Sequence, residues 1–350
     1  MGRARHTSAC LAAVVAALSL AAGVLAGSGR AQADEVADFY RGKTVHLVTG
    51  SSVGGGYDVY VRLFAEFARR HLPGEPTLIV QNRVGASGIT AMDYVYNVAP
   101  KDGTTIIMPF NVDPLFQLVR PEGRKFDLSK VQWLGNMAEL SNALVVTRAA
   151  GVGSIEDVRA REVIMTSSSD GSQTSIVPKL FNSLMGTRFK VITGYKGTGD
   201  MMLSMQRGET QGRVGSWFSF KTSEPEGLRS GQLVVLAQDG IRRQPDLPDV
   251  RLYDEIVTDP QHKRMMRIMS YPVATSRALA VAPGVPAPRV AALRAAFAAT
   301  MSDPGLVAAA KARNMIIATT DHAQIERLIA DLFASPPELI ARVRDVMNVN

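Results

Sequence analysis

Thr44-Val45-His46-Leu47-Val48-Thr49 runs straight into Gly50-Ser51-Ser52-Val53-Gly54-Gly55-Gly56-Tyr57-Asp58, and a helical pattern from Tyr57 to His71 follows, with Val61, Phe64, Ala65 and Ala68 on one face. The first six residues have the apolar, β-branched character of a buried strand, and the glycines mark its end. A strand, a glycine-rich loop and a helix in that order leave bare backbone N–H groups at a helix N-terminus, which is a cradle for an anion such as a carboxylate or phosphate. Asp58 falls in the first helical turn, where an acid suits the helix dipole.

The unit repeats at once. Thr77 to Gln81 (TLIVQ) is a second strand, Asn82-Arg83-Val84-Gly85-Ala86-Ser87-Gly88 a second glycine-rich loop, and Thr90 to Val98 a second helix. Pro100-Lys101-Asp102-Gly103 makes a turn into the strand Thr104 to Met108. Such alternation predicts an α/β fold with a parallel sheet covered by helices.

After a less regular stretch holding Phe116, Phe126 and Trp133, a second alternating set begins at Ala143 to Thr147. It continues with the strand Glu162 to Thr166, a helix over Gln173 to Met185 and the strand Phe189 to Thr193. A helix over Asp200 to Arg207, the strand Thr210 to Gly215, a helix over Ser219 to Ser230 and the run Leu233 to Ala237 complete it. Thr166-Ser167-Ser168-Ser169-Asp170-Gly171-Ser172 and Gly194-Tyr195-Lys196-Gly197-Thr198-Gly199-Asp200 again link strand to helix with small donors. Four such loops, two in each half, predict a cleft lined by N–H and O–H groups beyond the carboxyl ends of the strands. The remainder reads as mostly helical, over Pro260 to Met269, Pro286 to Met301, Pro304 to Arg313, Asp321 to Phe333 and from Pro337, interrupted by strands at Ala278 to Val281 and Met315 to Thr319.

Arg3 and Arg5, the apolar run Leu11 to Leu25 and Ala31-Gln32-Ala33 have the pattern of an export signal cleaved after Ala33. The single cysteine, Cys10, would leave with it, so disulfides, thiolate metal sites and cysteine nucleophiles are excluded from the exported chain. The remainder, about 320 residues, is long enough for two ordinary domains. The formal charge of +7 includes Arg3, Arg5 and Arg30, so the exported chain is only mildly basic. Its basic residues are scattered and not interleaved with aromatics, which argues against nucleic acid and for a small anionic ligand.

Gly50-Ser51-Ser52-Val53-Gly54 also fits the G-x-S-x-G nucleophile elbow, with Ser52 as nucleophile of a hydrolase. No base suits it: His71 closes the helix that the elbow would open, about 20 Å away at 1.5 Å per residue, and His262 and His322 stand in charged helical segments. No metal-ligand spacing and no G-K-[ST] phosphate-binding lysine occurs, so no metal, cofactor or catalytic residue is assigned. Met201, Met202 and Met205, like Met265, Met266 and Met269, have the spacing of core packing.

At these loops the chain resembles the Bug family, the extracytoplasmic solute receptors (TctC-like) of tripartite tricarboxylate transporters. Gly54-Gly55-Gly56-Tyr57-Asp58 looks like the family's first loop, and Gln81-Asn82-Arg83-Val84-Gly85-Ala86-Ser87-Gly88 like its N-x-x-G-A-x-G loop. Pro100 to Thr104, Gly171-Ser172, Tyr195-Lys196-Gly197 and Ala282-Pro283-Gly284-Val285-Pro286 follow in the family's order. The resemblance implies a type II periplasmic-binding-protein fold, two α/β domains around a central cleft that closes like a flytrap. Domain 1 would be 34–139 with 237–350, and domain 2 would be 140–236. By position, Ser52, Gly54, Gly55, Asp58, Ala86 and Ser87 would hold a ligand carboxylate, and Ser168, Gly171, Ser172, Tyr195 and Lys196 would approach from the other side.

The implied function is capture in the periplasm of a small carboxylated metabolite, a di- or tricarboxylate or an aromatic or amino-acid carboxylate. A monomeric receptor would hand it to transporter subunits in the membrane, and a sensory receptor serving a signalling partner is the alternative. Ser51 and Ser52 stand where many members have proline and an aromatic, and Gln173, Thr174 and Gln211 depart as well, so ligand identity does not transfer. Arg213 would favour an anionic distal group if it faces the ligand, with a solvent-facing side chain as the competing expectation.

Overall fold

A computed structural model describes residues 34–110, 114–119, 124–170 and 172–346. The expected leader over 1–33, Gly171 and the side chain of Ser87 lie outside the described residues. The described chain forms two sheets with helices on their faces. The first has the order β11-β4-β10-β3-β1-β2 and the second β7-β6-β8-β5-β9.

β1 (Thr44–Thr49) sits inside the first sheet because both its faces are apolar: Val45 and Leu47 join the cluster under the helix Gly56–Ala68, and Val48 the cluster on the other face with Met92 and Trp133. It pairs in parallel with β2 (Thr77–Asn82) and β3 (Thr105–Met108). The helices Gly56–Ala68 and Ile89–Asn97 are the two crossovers.

The parallel pairing expected of these three strands forms, but the rest of the sheet is mixed. β10 (Ala278–Val281) lies antiparallel to β3 and to β4 (Gln132–Asn136), and the short β11 (Thr320–Asp321) antiparallel to β4. In the second sheet β6 (Val163–Thr166) pairs in parallel with β7 (Phe189–Ile192) and β8 (Gly212–Ser216). β5 (Asn142–Thr147) is antiparallel to both β8 and β9 (Leu233–Gln238). Strand-helix-strand units impose a common direction, and β4 keeps that of β3 and β9 that of β8, whereas β5 and β10 enter from the other sheet, outside such units, and run against their neighbours.

Three segments differ from expectation for local reasons. β4 falls in the stretch read as irregular, because Gly135 breaks its apolar pattern; a Cβ there would strike the Phe297 ring of the helix Ala287–Met301. The helix expected over Ser219 to Ser230 is two, Trp217–Ser223 and Pro225–Arg229, since Pro225 forces Glu224 out of helical geometry (φ −132°, ψ 42°). The strand expected over Met315 to Thr319 does not form: there Ala318 makes a lone bridge to Ala138, and ladder pairing begins only at Thr320–Asp321.

The directions of the strands decide where the loops lie. β4 runs parallel to β3, because both oppose β10, so it ends at the carboxyl edge of the first sheet. β5 opposes β8, so it starts at the carboxyl edge of β6 and β8. Residues 137–141 therefore join the carboxyl edges of the two sheets, and Asp239, following β9, leaves from that same edge. The segment 237–350 divides its packing. Leu293, Phe297 and Leu306 lie in the first sheet's cluster, whereas Met265, Met266, Met269, Leu339 and Val343 share one with Phe181 and Val163 around the second. No described helix is long and apolar enough to cross a membrane.

Candidate functional site

The loop after β1 is held from within by Asp58, whose side chain is buried. One carboxylate oxygen accepts from the Gly54 N–H and from Arg62 Nε, each at 2.8 Å, and the other from Asn82 Nδ2 at 2.8 Å. Asn82 Nδ2 also donates to the Ser51 carbonyl at 2.9 Å, and the Gly55 N–H to the Ser52 carbonyl at 3.0 Å. Burial pushes the Asp58 carboxyl upward, but the donors from Arg62, Asn82 and Gly54 together outweigh it and hold it below the usual carboxylate range. Asp58 and the Gly54 and Gly55 N–H groups thus form the frame of the loop. Ser52 is exposed, and neither its N–H nor its hydroxyl hydrogen-bonds to a described residue.

The second loop packs on the first without an intervening side chain. A Cβ at Gly50 would lie 2.7 Å from Gly88 Cα, and one at Gly88 (φ +94°) would collide with the Phe110 carbonyl. The loops after β1, β2 and β3 therefore converge on Gly50, Gly88 and Phe110. The Arg83 N–H donates to the Thr49 carbonyl at 2.8 Å, which carries the β1–β2 pairing into the loops. Ala86, exposed at φ +43°, opens the short 3-10 turn before the helix Ile89–Asn97.

At the edge of the second sheet the centre is Ser167, a buried residue that sequence reasoning passed over. Its hydroxyl meets those of Ser172 at 3.0 Å and Thr174 at 2.7 Å, and donates to the Ser169 carbonyl. Its carbonyl accepts the Tyr195 N–H at 3.2 Å, so the loops after β6 and β7 are tied together. Tyr195 Oη meets Ser204 Oγ at 2.9 Å, and Ser168 and Lys196 are exposed. Those of the expected residues that are described thus lie in two groups, each at the carboxyl edge of its own sheet.

A polar chain runs from the second group into the connection between sheets. Asn142 Nδ2 donates to Gln173 Oε1, at the start of the helix Gln173–Met185, and to the buried Asp239, which also accepts the Asn142 N–H. Arg213 does not face solvent. It is 2% exposed, its guanidinium 3.8 Å from the Phe220 ring centroid and its Nε 3.0 Å from Met202 Sδ. Burial brings its pKa down to about 10, against the opposing pull of the Glu224 charge.

The second residue that sequence reasoning missed is Arg277, immediately before β10. Its N–H donates to Asn136 Oδ1 at 2.8 Å and its guanidinium lies 3.8 Å from the Tyr57 ring centroid, which brings a cation to the first turn of the helix Gly56–Ala68. It stands more than two hundred residues from that helix, so no local motif could reveal it. Among the histidines weighed as a base for Ser52, His71 is bound to Asp303 through Nε2 at 2.7 Å, at the far end of that helix.

Comparison with known proteins agrees with this architecture. Over 251 residues the chain is 26% identical to a Cupriavidus necator protein described as the UPF0065 protein in the gbd 5′ region, covering 69% of this chain and 72% of that one. A TctC solute-binding protein from Polaromonas, solved without ligand, superposes with a TM-score of 0.69 at 21% identity, over 88% of this chain and 99% of that one. A Rhodopseudomonas palustris protein solved with adipate gives 0.53 at 21% identity, over 87% and 97%. The family model of the tripartite tricarboxylate transporter family receptor, TctC, matches residues 61–344, and the chain belongs to that family.

Proposed function

We propose that this receptor captures a small carboxylated solute between the carboxyl edges of its two sheets, closes on it by hinge motion at 137–141 and near Asp239, and delivers it to membrane subunits of a tripartite tricarboxylate-type transporter. The lobes follow the sheets, with 140–236 around the second and the helix Pro260–Ala274 packed against it. The observation that carries the reading is the pairing of two donor-rich loop groups at edges joined by the same connecting segments. On the first wall the exposed Ser52 and Ala86 and the backbone at Ser87 would meet the carboxylate, with Asp58 and the Gly54 and Gly55 N–H groups holding the loop in shape. On the second, Ser168, Gly171, Ser172, Tyr195 and Lys196 would meet the distal part. Export through the 1–33 leader, cleaved after Ala33, places the receptor in the periplasm, and one chain supplies both walls, so the monomer is the binding unit.

Each charge-assisted hydrogen bond contributes about 1.5–3 kcal/mol, so three or four approach micromolar affinity, about 8 kcal/mol, once closure excludes water. A thermal-shift screen of mono-, di- and tricarboxylates on ligand-stripped protein tests the reading. A ligand at about a hundred times its Kd should stabilise the fold by roughly 2.7 kcal/mol, a rise of several degrees in Tm. A flat response across all three classes would remove the basis for carboxylate capture.

A further inference from the structure

We propose that Arg277 is the specificity-determining cation of the first wall, pairing with the ligand carboxylate seated at the N-terminus of the helix Gly56–Ala68. The inference rests on the receptor reading above and names the charge that reading lacked.

Three features of the guanidinium converge on this role. Nη1 is anchored, donating to the Ser276 carbonyl at 2.6 Å. The plane is stacked, 3.8 Å from the Tyr57 centroid and 5.2 Å from that of Tyr60, so its direction is fixed. Nη2 points to the loop, since a Cβ on Gly56 would lie 3.3 Å from it, and Nε is buried with no hydrogen-bond partner.

Charge balance then requires an anion. A helix N-terminus carries roughly half a positive charge, and here a full cation is held against it. No acidic side chain forms an ion pair with Arg277 among the described residues. Asp58, the acid of that helical turn, is already saturated by Arg62, Asn82 and Gly54. Two positive sources at one point are repulsive until an acceptor sits between them. A carboxylate on the exposed Ser52–Gly56 backbone lies beside Nη2 and satisfies both sources. The arrangement selects an ionised carboxylate and rejects the uncharged amide of the same shape, whose NH2 group would face donors.

The test titrates succinate, adipate, malate and citrate, with succinamide and adipamide as neutral partners, into wild type, Arg277→Gln, Arg277→Lys and Gly56→Ala. Binding is read by calorimetry and by the ligand-induced rise in Tm relative to each variant's own ligand-free Tm. Wild type should bind at least one carboxylate, reject its amide, and weaken as salt rises. Arg277→Gln should lose about tenfold to a hundredfold in affinity together with most of the salt dependence, and Arg277→Lys should recover part of both. Gly56→Ala keeps the arginine but places a methyl against Nη2, and should weaken binding severalfold even where Arg277→Gln folds poorly. Equal affinity and equal salt dependence in wild type and all three variants would reduce Arg277 to a stacking residue and overturn the inference alone. Wild type indifferent to all four carboxylates would bring down the receptor reading, and this role with it.

Discussion

Asp239→Asn should remove a large pH dependence from folding. The Asp239 carboxyl is fully enclosed, and burial pushes it up to about 7 against the two hydrogen bonds from Asn142 that pull it down. Its neighbour Tyr253 is held well above its ordinary range by burial and by Asp239 itself, so it stays neutral throughout. The folded protein therefore keeps a proton on Asp239 up to about pH 7, while the unfolded chain releases it near pH 4. Between those values the folded state binds more protons than the unfolded one, so stability falls as pH rises, by about 1.4 kcal/mol per unit. Over the full interval of about three units this is about 4 kcal/mol, of which about 3 kcal/mol falls between pH 5 and pH 8. The asparagine variant lacks the term. Its carbonyl can still accept the Asn142 N–H, and a flip of the Asn142 amide restores the second contact at the expense of the bond to Gln173. Urea unfolding of both proteins at pH 5, 6, 7 and 8 measures the effect. The gap in stability between wild type and variant should shift by about 3 kcal/mol across the series in the variant's favour at high pH. A gap constant to within about 1 kcal/mol would show that Asp239 is ionised in the fold, and would refute the reasoning.

Two further substitutions test the packing behind the site. Gly88→Ala places a methyl on the Phe110 carbonyl at φ +94°, whereas Gly186→Ala at φ +67° meets open space, so the first should cost at least about 2 kcal/mol beyond the roughly 1 kcal/mol of left-handed strain they share. Chemical denaturation of the pair compares them directly, and equal costs would mean that Gly88 does not pack against the Phe110 carbonyl. Arg213→Met should leave stability unchanged or raise it by about 1–3 kcal/mol, because the guanidinium is desolvated, makes no ion pair among the described residues and leaves Nη2 without a hydrogen bond. A loss above about 2 kcal/mol in the same assay would show that its contacts with Phe220 and Met202 outweigh the cost of burying the charge.

How much was legible in the sequence follows from the range of the forces involved. β1, the loop after it and the helix Gly56–Ala68 are encoded within twenty-five residues by periodicity and glycine placement, and the structure reproduces them to within a residue or two. The same holds for β6, the Ser167–Ser172 loop and the helix Gln173–Met185. The direction of β10 was not legible, because β10 enters the first sheet only after the chain has passed through the second, more than a hundred residues beyond β4.

The division of labour within the site was hidden for a different reason. Gly54, Gly55 and Asp58 fall in the loop the sequence marks out, but a motif names residues and not the direction of their donors; only the bonds from Gly54 and Asn82 to Asp58 show that this acid is spent on the loop itself. One signal was present and unused: Arg62 stands four residues after Asp58, the spacing at which a helical pair engages, and it foretells that Asp58 has no charge to spare. An acid so committed cannot balance a second cation. That is why Arg277, brought from the far end of the chain to the same helical turn, is left facing the place where a carboxylate would sit.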